Sequence, residues 1–164
     1  MSKLQTPFRY DFVGSFLRPQ VLKDAKAAYR DGKISKEEFD KVVDEEIIKV
    51  VVKQKELGFH AITDGEFRRT FWHLDFMWGL DGVAHENTGN GVKFDAELAV
   101  LDDTYLVGKI KAKAHPFVEY FKFLKQFEDE NTVAKYTIPA PAFFFKQMAA
   151  PENLPPSPTL YPAN

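Results

Sequence analysis

The chain has 164 residues, a formal net charge of −2 and no cysteine, which excludes disulfides and thiolate metal sites within it. That length suits a single domain that buries about two-thirds of its unfolded surface, and the near-neutral charge gives no electrostatic support for nucleic acid or an anionic membrane as a partner. No apolar run approaches the roughly 20 residues of a membrane span and the N-terminus lacks the apolar core of a signal peptide, so we expect a cytoplasmic protein.

The first third of the chain predicts a strand followed by two helices. Residues 8–16 alternate weakly between apolar and polar and end in Gly-Ser, which is typical of a short strand that runs into a loop. A modest helix is predicted over about Gln20–Arg30. Ser35 and Glu38 have the spacing of a capping box, and Gly58 stands where a glycine often ends a helix. The sequence between them therefore predicts a long helix.

A short buried strand is predicted directly after that helix, over FHAIT (59–63). The segment is rich in strand-forming residues and too short for another helix. A helix that leads straight into a strand is typical of an α/β protein. Asp64 and Glu66 follow at the carboxyl end of the strand, where parallel α/β folds bind their ligands.

The second half of the chain predicts fewer and less regular elements. Residues 84–91 are predicted to form a loop and residues 104–112 a strand. Pro116 opens a helix with an apolar stripe, and residues 132–141 predict a strand that prolines end. Seven of the ten prolines lie in the last 26 residues, which predicts an irregular, extended tail over about 139–164.

Two carboxylates form the strongest candidate site that the residues alone suggest. Asp64 and Glu66 are two positions apart, so on an extended backbone their side chains would face the same way. Such a pair could perform acid–base work, bind a substrate ammonium group or hold a metal. The alternative is that Arg18, Arg68 or Arg69 simply neutralises them.

Weaker candidates lie on either side of this pair. Gly14 would allow a ligand to approach the backbone, and Ser15 offers a hydroxyl and an amide, although a turn that ends the strand explains both residues more simply. His73 lies near Asp75 and could act as a base or a ligand, but an isolated histidine among aromatic residues is more often packed. The four histidines lack the spacing of known metal motifs.

Three segments together resemble the cobalamin-independent methionine synthase family, and more closely its single-barrel members. They are DFVGSFLRP (11–19), QKELGFHAITDGEFRR (54–69) and KYTIPAP (135–141). The resemblance implies an α/β fold, the TIM (β/α)₈ barrel, and transfer of a methyl group from a methyl-folate to the thiol of homocysteine with zinc as the metal. It implies that residues 1–164 form the N-terminal portion of one such barrel domain, incomplete in this chain.

The resemblance also assigns roles to individual residues. It implies that Gly14 and Ser15 contact the amino-acid part of homocysteine or methionine, and that Glu66 binds the substrate ammonium group. The role of Asp64 stays open, since the two-barrel enzymes commonly have a histidine there. Further candidate pocket residues, by resemblance to the single-barrel group, are Arg18, His73 and Asp75.

The metal is where this sequence departs from the family. The family's zinc ligands are histidine, cysteine and glutamate residues in the later half of the barrel, so we expect neither a metal ligand nor a catalytic residue in this chain. We expect the N-terminal portion of a longer methyltransferase that is inactive alone. The alternatives are a non-catalytic α/β module that binds a ligand or self-associates through an exposed sheet edge, and a related zinc-dependent thiol alkyltransferase with another acceptor.

Overall fold

The structure is a computed structural model that describes residues 12–86, 91–94, 97–100, 103–111 and 114–148. In chain order its elements are α1 (Gln20–Arg30), α2 (Lys36–Glu56), β1 (Ala61–Ile62), α3 (Leu74–Trp78), β2 (Asp81–Glu86), β3 (Gly91–Phe94), β4 (Glu97–Val100), β5 (Asp103–Lys111), α4 (Pro116–Lys125), β6 (Val133–Ala134) and α5 (Pro141–Met148). This mixed α/β chain divides into two compact units; the described residues of one fall within 12–72 and 118–137, and those of the other within 73–117 and 138–148.

The two predicted helices of the first unit are confirmed. At the start of α2 the Ser35 hydroxyl accepts a hydrogen bond from the Glu38 N–H at 3.1 Å, and the Glu38 carboxylate accepts from the Ser35 N–H at 2.7 Å. This is the predicted capping box, which satisfies two N–H groups that the helix leaves without partners. Gly58 follows the other end of α2 with a left-handed φ of 78°, a conformation that glycine adopts without steric cost.

The short strand after α2 is also confirmed, and it pairs in parallel with β6. Ala61 lies opposite Val133 and Ile62 opposite Ala134. Both strands are shorter than predicted, at two residues each. Thr63, the next residue after β1, bonds through its N–H and carbonyl to the side-chain amide of Gln54 in α2.

The core of the first unit forms where α1, α2 and α4 meet this strand pair. The apolar stripe predicted for α4 contributes Leu124, which is completely buried. Burial of such side chains is the main favourable term in folding. The buried apolar residues of this cluster are Leu22, Val43, Ile47, Val51, Ile62, Phe67 and Leu124.

Antiparallel pairs form the second unit, where β2 pairs with β5 and β3 with β4. The strand predicted over 104–112 is confirmed as β5, with residue 112 outside the described residues. The Trp78 indole N–H donates to the Thr104 hydroxyl at 2.9 Å, and its ring stacks on His85 with 3.8 Å between centroids. Within the described ranges, no helix is long and apolar enough to cross a membrane.

Two local predictions are wrong in part. Residues 84–86 belong to β2 and residue 91 to β3, where a loop was predicted, and residues 87–90 lie outside the described residues. Cross-strand pairing with residues 103–105 outweighs the polar local composition there. Residues 12–16 form no strand, since Gly14 turns the chain at a φ of 100°, and residues 8–11 lie outside the described residues.

The extended tail predicted over 139–164 is wrong for α5. Pro141 is its first residue, a position where the missing N–H of proline costs nothing. The Ala140 carbonyl accepts hydrogen bonds from the N–H groups of Phe143 and Phe144, which begins the helix. Residues 149–164 lie outside the described residues.

The capping box of α2 is testable by removing its hydroxyl. In Ser35→Ala the Glu38 N–H loses its partner, so the free energy of unfolding should fall by about 1 kcal/mol in urea denaturation. Ser35→Asp keeps an oxygen acceptor and should remain close to the wild type. An equal loss in both variants would contradict the capping geometry.

Candidate functional site

A tight turn directly after β1 brings the candidate residues of the first unit together. Residues 65–68 form this turn, and Asp64 and Glu66 are only 3% and 5% exposed. The loop that precedes α1 lies against it, since the Phe16 N–H donates to the Gly65 carbonyl at 3.1 Å. Ser15, the neighbour of Phe16, is thereby placed beside Glu66.

The backbone of Glu66 is left-handed, with a φ of 58°. Among the described residues it is the one non-glycine residue with a positive φ, a conformation that costs about 1–2 kcal/mol. Gly65 is left-handed too, with a φ of 64°. The expectation that Asp64 and Glu66 project to one side of an extended backbone is therefore wrong. Instead, Asp64 Oδ1 accepts a hydrogen bond from the Glu66 N–H at 2.9 Å.

The carboxylate of Glu66 receives three hydrogen bonds from protein groups. Ser15 Oγ donates to Oε2 at 2.6 Å, while Thr137 Oγ1 and Arg69 Nη1 donate to Oε1 at 3.2 and 3.3 Å. Each carboxylate oxygen has about two acceptor positions, so Oε2 retains one beside the Ser15 hydroxyl. Ser15 is exposed to solvent and Glu66 is buried. A ligand donor would therefore reach Oε2 from the Ser15 side.

Arg69 lies beside the acidic pair and forms an ion pair with Glu66. It is 2% exposed, and its guanidinium lies 4.8 Å from the centroid of the Tyr136 ring. It donates a hydrogen bond of 2.6 Å to the Thr137 carbonyl and another of 3.2 Å to the Trp72 carbonyl. The contact with Glu66 is longer than the contact with Thr137, so much of the hydrogen bonding of Arg69 goes to the backbone.

Two further arginines support the turn without contacting a carboxylate of the site. Arg18 Nη2 donates to the carbonyls of Glu66 and Arg69 at 3.1 and 3.0 Å. Arg68 pairs with Asp44 and lies over the rings of Tyr120 and Phe123. Arg18 thus joins the loop before α1 to the turn after β1, which keeps Ser15 and Glu66 together.

Burial raises the pKa of Asp64 above its ordinary value. The Glu66 N–H, the charge of Arg69 and the Tyr136 hydroxyl act in the opposite direction, as does Arg68 more weakly. Burial and the charge of Asp64 in turn raise the pKa of the Tyr136 hydroxyl. The interior of this site therefore disfavours negative charge at Asp64.

His73 and Asp75 lie in the second unit. The His73 ring packs edge-on against Phe143 with 5.2 Å between centroids. Burial lowers the pKa of His73, and the charge of Asp75 opposes that shift. The packed environment predicted for an isolated histidine among aromatic residues describes His73 well.

Sequence reasoning missed two polar residues that shape the site. Gln54 Nε2 donates to the Thr63 carbonyl at 2.8 Å, and its Oε1 accepts from the Thr63 N–H at 2.9 Å. Thr137 lies within the KYTIPAP segment but was not singled out. Gln54 could have been found as a polar residue on the face of α2 that Val51 and Ile47 bury. Nothing in the sequence marks Thr137.

The described residues do not fit a zinc ion. They contain no cluster of three or more histidine, aspartate or glutamate residues that could hold a metal, and the sequence has no cysteine. The free oxygen position on Glu66 Oε2 is a single one, beside a hydroxyl. A structural or catalytic zinc site requires three or four protein ligands.

The raised pKa of Asp64 gives a pH-dependent prediction. Because the folded-state pKa lies above the ordinary value of 3.8, the wild-type chain loses stability as the pH rises from about 3.8 through the folded pKa. Asp64→Asn does not titrate, so its free energy of unfolding relative to the wild type should increase between about pH 4 and pH 7. Urea titrations of both chains at each pH measure this difference. A difference that is constant or falls with pH would show that burial does not penalise the charge.

Comparison with known proteins agrees with the resemblance seen in the sequence. Residues 10–112 match the family model of the cobalamin-independent synthase catalytic domain. The uncharacterized protein YxjH of Bacillus subtilis is 37% identical over 141 residues, which are 86% of this chain and 37% of that protein. The 5-methyltetrahydropteroyltriglutamate–homocysteine methyltransferase of Thermotoga petrophila is 38% identical over 77 residues, which are 47% of this chain and 10% of the enzyme.

Solved structures share the fold. The putative vitamin-B12 independent methionine synthase from Listeria monocytogenes is 39% identical, with a TM-score of 0.75 over 96% of this chain and 43% of that one. The B12-independent methionine synthase from Shewanella sp. W3-18-1, solved with selenomethionine, is 22% identical with a TM-score of 0.54 over 71% of this chain and 33% of that one. The chain spans about two-fifths of the length of the first relatives it matches. With its family model covering more than half of the sequence, the chain belongs to the cobalamin-independent methionine synthase family.

Proposed function

We propose that this chain supplies the amino-acid-binding part of an S-methyltransferase site, in which Glu66 and Ser15 bind the α-ammonium group of homocysteine or methionine. The observation that carries the proposal is the 2.6 Å hydrogen bond from the Ser15 hydroxyl to Oε2 of the buried Glu66, since a carboxylate oxygen can accept a second donor beside it. A buried carboxylate with a fixed orientation suits a cation that must be held in one place.

The hydrogen-bond donors of an ammonium group match the acceptors that Glu66 and Ser15 offer. The group has three N–H donors, and hydrogen bonds from it to a carboxylate are charge-assisted and short. Glu66 Oε2 can accept one N–H of the ammonium group. The Ser15 oxygen can accept another N–H through a lone pair while the Ser15 hydroxyl continues to donate to Glu66. Gly14 has no side chain at the neighbouring position, which leaves the backbone there open to the ligand.

Relatives support the choice of ligand and donor. The Thermotoga enzyme is named for homocysteine as acceptor and for a methyltetrahydropteroyl donor, and the Shewanella protein was solved with selenomethionine. Homocysteine, methionine and selenomethionine share one α-amino-acid end. We therefore propose homocysteine as the methyl acceptor and a methyl-folate as the donor.

The proposed place of this chain is the N-terminal portion of a TIM barrel. Its support is the parallel pairing of β1 with β6 and the site at the carboxyl end of β1, where barrel enzymes bind their substrates. Zinc is the family's metal, and we assign none of its ligands to this chain. The residues here orient the amino-acid end of the acceptor and do not activate its thiol, so we expect no methyl transfer by the chain alone.

The contacts proposed for Glu66 and Ser15 select for the α-ammonium group and not for the thiol end. A related thiol alkyltransferase with a different amino-acid acceptor would use the same Glu66 and Ser15 contacts. Titrations with L-homocysteine, L-methionine and L-cysteine separate these cases. Comparable affinity for all three would mean that the acceptor is selected outside this chain.

Glu66→Gln tests the proposed ammonium contact. The variant keeps the size of the side chain and loses its charge, so affinity for L-methionine should fall by about 10- to 100-fold, the value of one charge-assisted hydrogen bond. Isothermal titration calorimetry on the 164-residue chain measures it. The matched control is Glu46→Gln, a buried glutamate of α2 that pairs with Lys49, which should leave the affinity unchanged.

Two outcomes would overturn the proposal. The first is equal affinity of Glu66→Gln and the wild-type chain. The second is a wild-type chain that binds neither L-homocysteine nor L-methionine and forms a dimer in sedimentation. That result would favour the alternative of a non-catalytic α/β module that self-associates. Pairing of an exposed strand edge with a second copy would be the physical cause of such a dimer.

A further inference from the structure

The conformation of Glu66 needs an explanation beyond its carboxylate. A glutamate resists a φ of 58°, because its Cβ crowds the neighbouring carbonyl, and such residues persist only where the surroundings hold them. Both backbone polar groups of Glu66 have partners. Its carbonyl accepts from Arg18 Nη2 at 3.1 Å and from the Arg69 N–H at 3.1 Å, and its N–H donates to Asp64 Oδ1.

Asp64 is the neighbouring side chain that accepts the hydrogen bond from the N–H of the strained Glu66. An aspartate that accepts from the N–H two residues later closes a local ring, which fixes the direction of the intervening backbone. Asp64 is itself fixed by burial, and the Gln54 amide holds the preceding Thr63. The hydrogen-bonded ring of Asp64 and Glu66 therefore begins from residues at the end of β1 that are held in place.

The direction of the Glu66 side chain follows from this backbone. With φ in the left-handed region, Glu66 Oε2 meets Ser15 and Oε1 meets Thr137, and these two partners lie 51 and 71 residues away along the chain. A return of Glu66 to an ordinary φ would swing its Cβ away from both. The ammonium-binding position on Oε2 would then be lost although the carboxylate is still present.

We propose that Asp64 is a positioning residue that holds Glu66 in the left-handed conformation required for ligand binding. The effect on ligand binding rests on the function proposed above, and the effect on the backbone does not. The role requires a side-chain oxygen that accepts a hydrogen bond. Asp64→Asn should therefore preserve the conformation of Glu66, and Asp64→Ala should not.

Hydrogen exchange of the Glu66 amide tests the backbone effect without a ligand. In the ¹⁵N-labelled chain, Asp64→Ala should speed exchange at Glu66 by about tenfold relative to core amides such as Ile47, because its acceptor is gone. Asp64→Asn should remain within about twofold of the wild type. Expressing the rate relative to the Ile47 amide removes the effect of a change in global stability. Unchanged relative exchange in Asp64→Ala would overturn the proposal.

Asp129→Ala is the matched control. Asp129 Oδ1 accepts from the Asn131 N–H at 2.8 Å, which is the same local contact in a loop that does not touch Glu66. This variant should leave both Glu66 exchange and affinity for L-methionine unchanged. Asp64→Ala should lower that affinity by about tenfold and Asp64→Asn should retain it. If the wild type binds no amino acid, the proposed function fails, while the exchange experiment still decides the role of Asp64.

A second variant keeps the proposal testable if Asp64→Ala does not fold. Glycine adopts a positive φ without steric cost, so Glu66→Gly should reduce the stability lost through Asp64→Ala. We expect the double variant to fold and the two losses in free energy of unfolding to be less than additive. Fully additive losses, or a double variant as unfolded as Asp64→Ala, would show that Asp64 does not act through the φ of Glu66.

Discussion

The side-chain amide of Gln54 bonds to both backbone groups of Thr63, the residue that follows β1. Because β6 bonds to the carbonyls of His60 and Ile62, the groups of Thr63 lie on the other edge of the strand, where Gln54 satisfies them. After Thr63 the chain turns, and Glu66 has a left-handed conformation. One buried side chain of α2 thereby fixes the backbone from which the turn with Glu66 starts. A rigid helix supplies that support, and a rigid support is what a precise binding site requires.

The charges of the site are arranged so that Glu66 stays available to an external cation. Isolated buried charges are costly, and Arg69 offsets that cost by lying beside the carboxylates. Yet Arg69 bonds to the Thr137 carbonyl at 2.6 Å, while its contact with Glu66 is longer, at 3.3 Å. Arg18 likewise donates to backbone carbonyls. The arginines lower the cost of the acidic pair without covering the oxygen that faces Ser15.

The sequence predicts features set by local chemistry better than features set by distant contacts. The ends of α2 follow from Ser35, Glu38 and Gly58, residues whose roles lie within one turn of the helix. Residues 84–86 look like a loop because their strand exists only through pairing with residues 103–105. Pro141 looks like a strand breaker, although the first position of a helix tolerates proline.

The same distinction applies to the candidate site. The family motif points to Ser15 and Glu66, and the structure places them in contact. Spacing alone misjudged the relation of Glu66 to Asp64, because a positive φ at a glutamate is not encoded in its identity. The sequence does not predict the roles of Thr137 and Gln54, for a related reason. Each acts on a residue that only the folded backbone brings near, so neither has a motif of its own.

The most direct test of the account compares L-methionine with 4-(methylsulfanyl)butanoate, which has the same carboxylate and thioether and lacks the ammonium group. Calorimetric titration of both into the 164-residue chain isolates the contact with Glu66 and Ser15. The account predicts that L-methionine binds and that the analogue binds at least about tenfold more weakly, the value of one charge-assisted hydrogen bond. Equal affinity for the two compounds would contradict an ammonium-binding role for Glu66.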